Sequence, residues 1–318
     1  MLPMKLLDWI DIKILDWSFL SENPNAIQLL KENPEKINWS MLSGNPNAIE
    51  LLKDNLDKID WYILSGNLNA ISILKENPNK INWSILSTNI NAIELLKENP
   101  NKINWLLLSS NPNAISILKD NTDKIDWNIL SENPNAIELL KENPNKINWR
   151  YLSENINAIE LLRENQMNIN WYYLSGNPNA IKILKENPNK IHWRILSRNY
   201  NAIEILKKNP DKITWSNLSY NHNAIELIKN NFKNIHLYDG LSGNENTIEL
   251  LKGNLEKLIN IKNLSANPAI FTYDYEKMRD SNQDLKEEII AKALHPKRIF
   301  RLIEEYGEDE IYNIYFDE

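Results

Sequence analysis

The side chains that could do chemistry are few or else repeated. His192, His222, His236 and His295 are the four histidines, and the chain has no cysteine. Disulfides and thiolate chemistry are therefore excluded. No two histidines have the spacing of an H-E-x-x-H zinc site, and the seven glycines are too scattered to form a phosphate loop. Carboxylates and amines recur in copies: Glu50 with Lys53, Glu94 with Lys97, Glu138 with Lys141. An i, i+3 pair found again and again reads as a solvated row of ion pairs. Catalysis needs a unique nucleophile and base. The reading is a non-enzyme without metal or cofactor; an enzyme in the C-terminal module would rest on His295 alone.

Two further rows could bind. Tryptophan stands at 17, 39, 61, 83, 105, 127, 149, 171, 193 and 215, every step 22 residues. Such a ladder could stack on bases or sugars, but its spacing to Leu42 and its equivalents puts it on the apolar side of a helix, in the core. A row of lysines from Lys31 to Lys229, with arginine at Arg163, could follow a nucleic-acid backbone. Acidic neighbours such as Glu32, Asp54 and Glu76 accompany it. Residues 268–318 carry 7 Lys and Arg against 13 Asp and Glu, so −6 of the formal charge of −7 sits there and the repeats are almost neutral. A nucleic-acid footprint should be basic, so nucleic acid is an unfavoured partner.

What remains is variation among copies. The residue after each tryptophan changes (Ser40, Tyr62, Ser84, Leu106, Asn128, Arg150, Tyr172, Arg194, Ser216), as does the one four later (Gly44, Gly66, Thr88, Ser110, Glu132, Glu154, Gly176, Arg198, Tyr220). At about 100° per residue these positions lie about 40° apart and opposite Leu42. They form one exposed stripe, while the equally exposed Glu/Lys face barely changes. From Arg150 onward the stripe fills with Arg and Tyr, types enriched at interface hot spots. Tyr62, Arg150, Tyr172, Arg194, Arg198 and Tyr220 are the candidate partner-binding residues. The expected function is a scaffold that binds a protein or peptide; the alternative is a helical-repeat binder of single-stranded nucleic acid.

The elements that carry the stripe follow from one copy. Asn38 caps a short helix begun by Trp39, and Asn45-Pro46 reads as the cap and first position of a second helix through Ala48, Ile49, Leu51 and Leu52. Asn55 ends it in a left-handed conformation, with proline following in half the copies. Helix-forming E-L-L-K-E runs and the missing L-x-L strand speak against a leucine-rich repeat. A period of 22 residues marks a solenoid whose units are stable only when stacked. The expected fold is all-α, a right-handed-type α-solenoid of about twelve two-helix repeats. Straight stacking would extend it over roughly 100 Å. Residues 1–16 read as an N-terminal half-cap, 17–267 as the solenoid, and 268–318 as an acidic helical cap. Leu237 and Ile261 take the tryptophan slot in two looser units, and Tyr238-Asp239-Gly240 adds a residue.

The unit W-x-x-L-S-x-N-P-N-A-I-x-L-L-K-E-N-P-x-K-I-N resembles the asparagine-rich helical repeat proteins of giant DNA viruses of protists. So does the ending, Asn267-Pro268-Ala269-Ile270-Phe271, Tyr273-Asp274-Tyr275 and Ala293-Leu294-His295-Pro296-Lys297-Arg298-Ile299. The resemblance implies a helical repeat fold and, for a viral protein, a place in the host cytoplasm; it supplies no activity or site. No signal peptide or apolar run of membrane-spanning length is read, so the expectation is a cytoplasmic protein, neither secreted nor membrane-bound.

Overall fold

The computed structural model describes residues 2–231, 239–252, 260–281, 283–308 and 311. Most of them form a helical solenoid in units of 22 residues. In a typical unit the first helix is Trp39–Gly44, the second is Ile49–Lys53, and a 3-10 turn follows at Leu56–Lys58. Asn38 caps the first helix, its Oδ1 accepting from Met41 N at 3.2 Å. The expected start of the second helix at Asn45-Pro46 is corrected. Asn45 closes the first helix, and Ala48 is the residue before the second. Only in some units does a 3-10 turn run straight in from the proline, as at Pro112–Ala114. Asn55 is also not left-handed, with φ −139°. It ends the helix by donating its side-chain Nδ2 to the Leu51 carbonyl at 2.9 Å, which supplies an orphan acceptor of the last turn.

The apolar core runs between the two helices of each unit. Leu42, Ala48, Leu52, Leu130, Ala136 and Leu140 are completely buried. The tryptophans are only half-buried, which corrects their expected place in the core. One ring face is covered: the ammonium groups of Lys36, Lys58 and Lys124 stand 4.5 Å above Trp17, Trp39 and Trp105, and Lys212 stands 4.7 Å above Trp193. A ring under a lysine is not an open platform for stacking. Leu130→Ala should thus cost about 2–5 kcal/mol, and Trp127→Ala less than the about 3–5 of a fully buried aromatic ring. Chemical denaturation of the two variants checks that order.

Successive units are joined through polar groups in the interior. Asn45, buried, donates Nδ2 to the carbonyls of Ser21 and Asn23 in the preceding unit, at 3.0 and 2.9 Å, while its Oδ1 accepts from Asn47 N. Asn47 donates to the Pro24 carbonyl, and Asn38 N donates to Ser21 Oγ. The pattern recurs from unit to unit, as at Asn133, Asn155 and Asn199. No buried side-chain polar atom lacks a partner among the described residues.

The same contacts join the last unit to the first. Asn23 donates to Ser265 O and Asn267 O at 2.9 and 3.0 Å, Asn25 donates to Pro268 O at 3.0 Å, and Asp16 N donates to Ser265 Oγ at 2.8 Å. Helix Trp17–Glu22 packs on Ile261–Ala266 as it does on Trp39–Gly44. Leu7 N donates to Ile270 O at 2.9 Å. The solenoid therefore closes on itself, and twelve ladder asparagines, Asn23 to Asn267, share one turn at about 30° per unit. This replaces the extended stack with two capped ends, because each end unit already has a neighbour. The compact body is Leu6–Phe271 rather than 17–267. Several successive first helices pack directly on one another, such as Trp39–Gly44 on Trp61–Gly66 and Trp171–Gly176 on Trp193–Leu196, and no two second helices pack as closely among the described residues. In a closed ring the closer-spaced layer is the inner one.

The second compact unit comprises 1–5 and 272–318. Strand β1 (Met4–Leu6) pairs antiparallel with β2 (Phe271–Tyr273), so Tyr273 lies in a strand rather than in a helix, and Asp274 N donates to Pro3 O at 3.0 Å. Helices Tyr275–Ser281, Gln283–Ala293 and Pro296–Tyr306 follow. His295 caps the last of them, its Nδ1 accepting from Lys297 N at 3.2 Å. His236, Leu237, the inserted Tyr238 and, apart from Ile311, the tail after Glu308 lie outside the described residues.

Candidate partner-binding site

The stripe sits on the first helices, opposite the buried Leu42 row and thus on the inner layer. Tyr62, Arg150, Tyr172, Arg194, Arg198 and Tyr220 are all exposed there. Five of them share one sector. Tyr62 stands four units before Arg150 and is not brought to them.

Within the sector, side chains meet across unit boundaries. Arg150 donates Nε to the Tyr173 hydroxyl at 3.0 Å, and a second guanidinium N–H reaches the same oxygen. The Arg198 guanidinium lies 5.0 Å from the Tyr220 ring centre. Tyr172 meets Tyr173 edge-on at 5.2 Å and His192 at 5.4 Å. Tyr172, Tyr173, Arg198, Tyr200, Glu154 and Gly176 line a cleft of about 470 Å³. Gly176 lets Ile195 of the next unit pack close, since an added Cβ would meet Ile195 Cγ2 at 3.2 Å, as it would meet Ile63 from Gly44 and Ile85 from Gly66. A smaller hollow of about 240 Å³ follows, lined by Tyr220, His222, Gly240 and Asn263 among others.

The sector is rich in donors. Arg150, Arg194 and Arg198 form no ion pair among the described residues. The carboxylate in the cleft is Glu154. Partial desolvation by the cleft walls, with the like charge of Glu132 adding to it, raises its pKa above the usual value. The Glu/Lys row behaves differently: Glu50–Lys53, Glu94–Lys97 and Glu138–Lys141 pair at 2.8–3.0 Å in solvent. No group of three or more metal-ligating side chains occurs among the described residues.

Tyr173, Tyr200 and His192 were not legible as site members from the variable stripe alone. A signal exists in their departures from the unit pattern. Tyr200 takes the slot of Pro46, and His192 takes a cap slot held by Asn or Asp in earlier units. The cap bond is missing at His192, whose side chain accepts no backbone N–H, and at Thr214. His192→Asn should therefore raise stability by about 1 kcal/mol, measured by urea unfolding, and take away the ring packed on Tyr172.

Comparison with family models, with curated proteins and with solved structures finds no match for the chain. No helix among the described residues is long and apolar enough to cross a membrane.

Proposed function

We propose that the chain is a non-catalytic scaffold that binds a protein or peptide partner through the inner stripe, in the sector from Arg150 to Tyr220. The observation that carries this reading is the contrast between slots. Slots filled mostly by Ser, Gly and Thr in the earlier units hold Arg150, Tyr172, Arg194, Arg198 and Tyr220 here, beside a cleft, and the two units begun by Trp193 and Trp215 have given up the helix-cap bond. Residues selected for binding commonly sit at such local losses of stability. Resemblance to viral repeat proteins and a cytoplasmic location belong to the same proposal.

Changing Arg194 and Arg198 together to Ser should alter stability by no more than about 0.5 kcal/mol, as exposed sites do. Capture of a partner should weaken at least tenfold, about 1.4 kcal/mol. Ser84→Ala with Thr88→Ala, on the plain part of the stripe, should leave both unchanged. Pull-down from a lysate with the three proteins as bait makes the comparison. Equal capture by all three means that the stripe has merely drifted, and capture of RNA alone favours the nucleic-acid alternative.

A further inference from the structure

Resting on the binding role just proposed, we infer that the segment bound at the Arg150–Tyr220 sector is an acidic peptide, its carboxylates held by Arg150, Arg194 and Arg198. Hydrogen-bonding capacity gives the first reason. Arginine offers only donors, and a tyrosine hydroxyl can add one more, so the surface is complementary to a partner rich in acceptors. The second reason is preorganisation. Arg150 is held by the Tyr173 hydroxyl, and Arg198 lies beside the Tyr220 ring. A guanidinium steadied in this way keeps N–H groups on its other edges free for a carboxylate, and loses less entropy when it binds.

Charge distribution separates this partner from the other polyanion. A nucleic-acid strand presents a phosphate at every step and needs cations along its whole path. Here the arginines of the stripe are confined to one sector, with Lys262 a further cation in a stripe slot, and the stripe carries Glu132 just before that sector and Glu154 within it. A peptide can place its carboxylates opposite the arginines and leave other residues by Glu154. The three tyrosines of the cleft, Tyr172, Tyr173 and Tyr200, give apolar ring surface to the side chains between those carboxylates.

The test uses the full chain and a fluorescent peptide of alternating Glu and Gly, titrated by anisotropy at low and high salt. Saturable binding is expected, weakened by salt and at least tenfold by Arg150→Ser, Arg194→Ser and Arg198→Ser combined. Glu154→Gln should strengthen it, and Ser84→Ala with Thr88→Ala should leave it unchanged. Equal or tighter binding of a Lys/Gly peptide would overturn the inference. Tighter binding of labelled oligouridylate, lost in the same arginine variant, would overturn it in favour of nucleic acid. Should the Glu/Gly peptide not bind while lysate capture still depends on Arg194 and Arg198, the acidic partner is wrong and the scaffold stands; loss of both sinks both.

Discussion

Asn133→Asp should destabilise the protein by about 4 kcal/mol or more, the largest effect expected of any single polar substitution. The side chain is buried and gives both amide hydrogens to the carbonyls of Ser109 and Asn111, at 3.0 Å each. A carboxylate of the same shape has no hydrogen to give. It would face two carbonyl oxygens at hydrogen-bonding distance with its charge desolvated, and such unpaired buried groups cost several kcal/mol. Asn133→Ala removes the donors without adding charge; the Asn111 carbonyl keeps its bond from Ala114 N at 3.1 Å, and the Ser109 carbonyl is left unmet at about 1–3 kcal/mol. The expected order in urea is wild type, Ala, then Asp. If the Asp variant melts with the wild type, the ladder contributes nothing to stability.

The same change at Asn23 tests closure. If the last unit truly docks on the first, Asn23 is as internal as Asn133, and Asn23→Asp should cost a similar amount, again about 4 kcal/mol. In an open stack Asn23 would be a terminal side chain in water, and the change would cost within about 0.5 kcal/mol. The two sites should differ in their effect on assembly. No covalent link crosses the contact between Asn23 and Asn267, so breaking it exposes two complementary faces. Faces of that kind join head to tail between molecules. Asn23→Asp should therefore increase the hydrodynamic radius and give concentration-dependent oligomers in sedimentation, even though aspartate weakens each new joint. A monomer of unchanged radius and stability would mean that the solenoid is not held closed by this contact.

Local features of the chain were legible without coordinates. Helix caps at Asn38 and Asp60, the buried Leu42 and Leu52, and the 22-residue period each depend on residues a few positions apart. So does exposure of the stripe, which follows from helical geometry and from Leu42 facing inward. Two things were not legible, because each depends on groups a whole unit or more away. Asn45 looks like a helix cap from its neighbours Pro46 and Asn47, yet its two amide hydrogens belong to carbonyls of the preceding unit. Closure is the extreme case. It results from a small rotation repeated at every unit, so no motif encodes it, and Asn23 meets Asn267 only because twelve such steps return to the start. The site shows the same division: Arg150 and Tyr173 are 23 residues apart, and only stacking of units brings the guanidinium to the phenol. Sequence periodicity determined the unit and its exposed face, while tertiary packing decided the ring and which exposed side chains share a cleft, because neither property is a sum of local preferences.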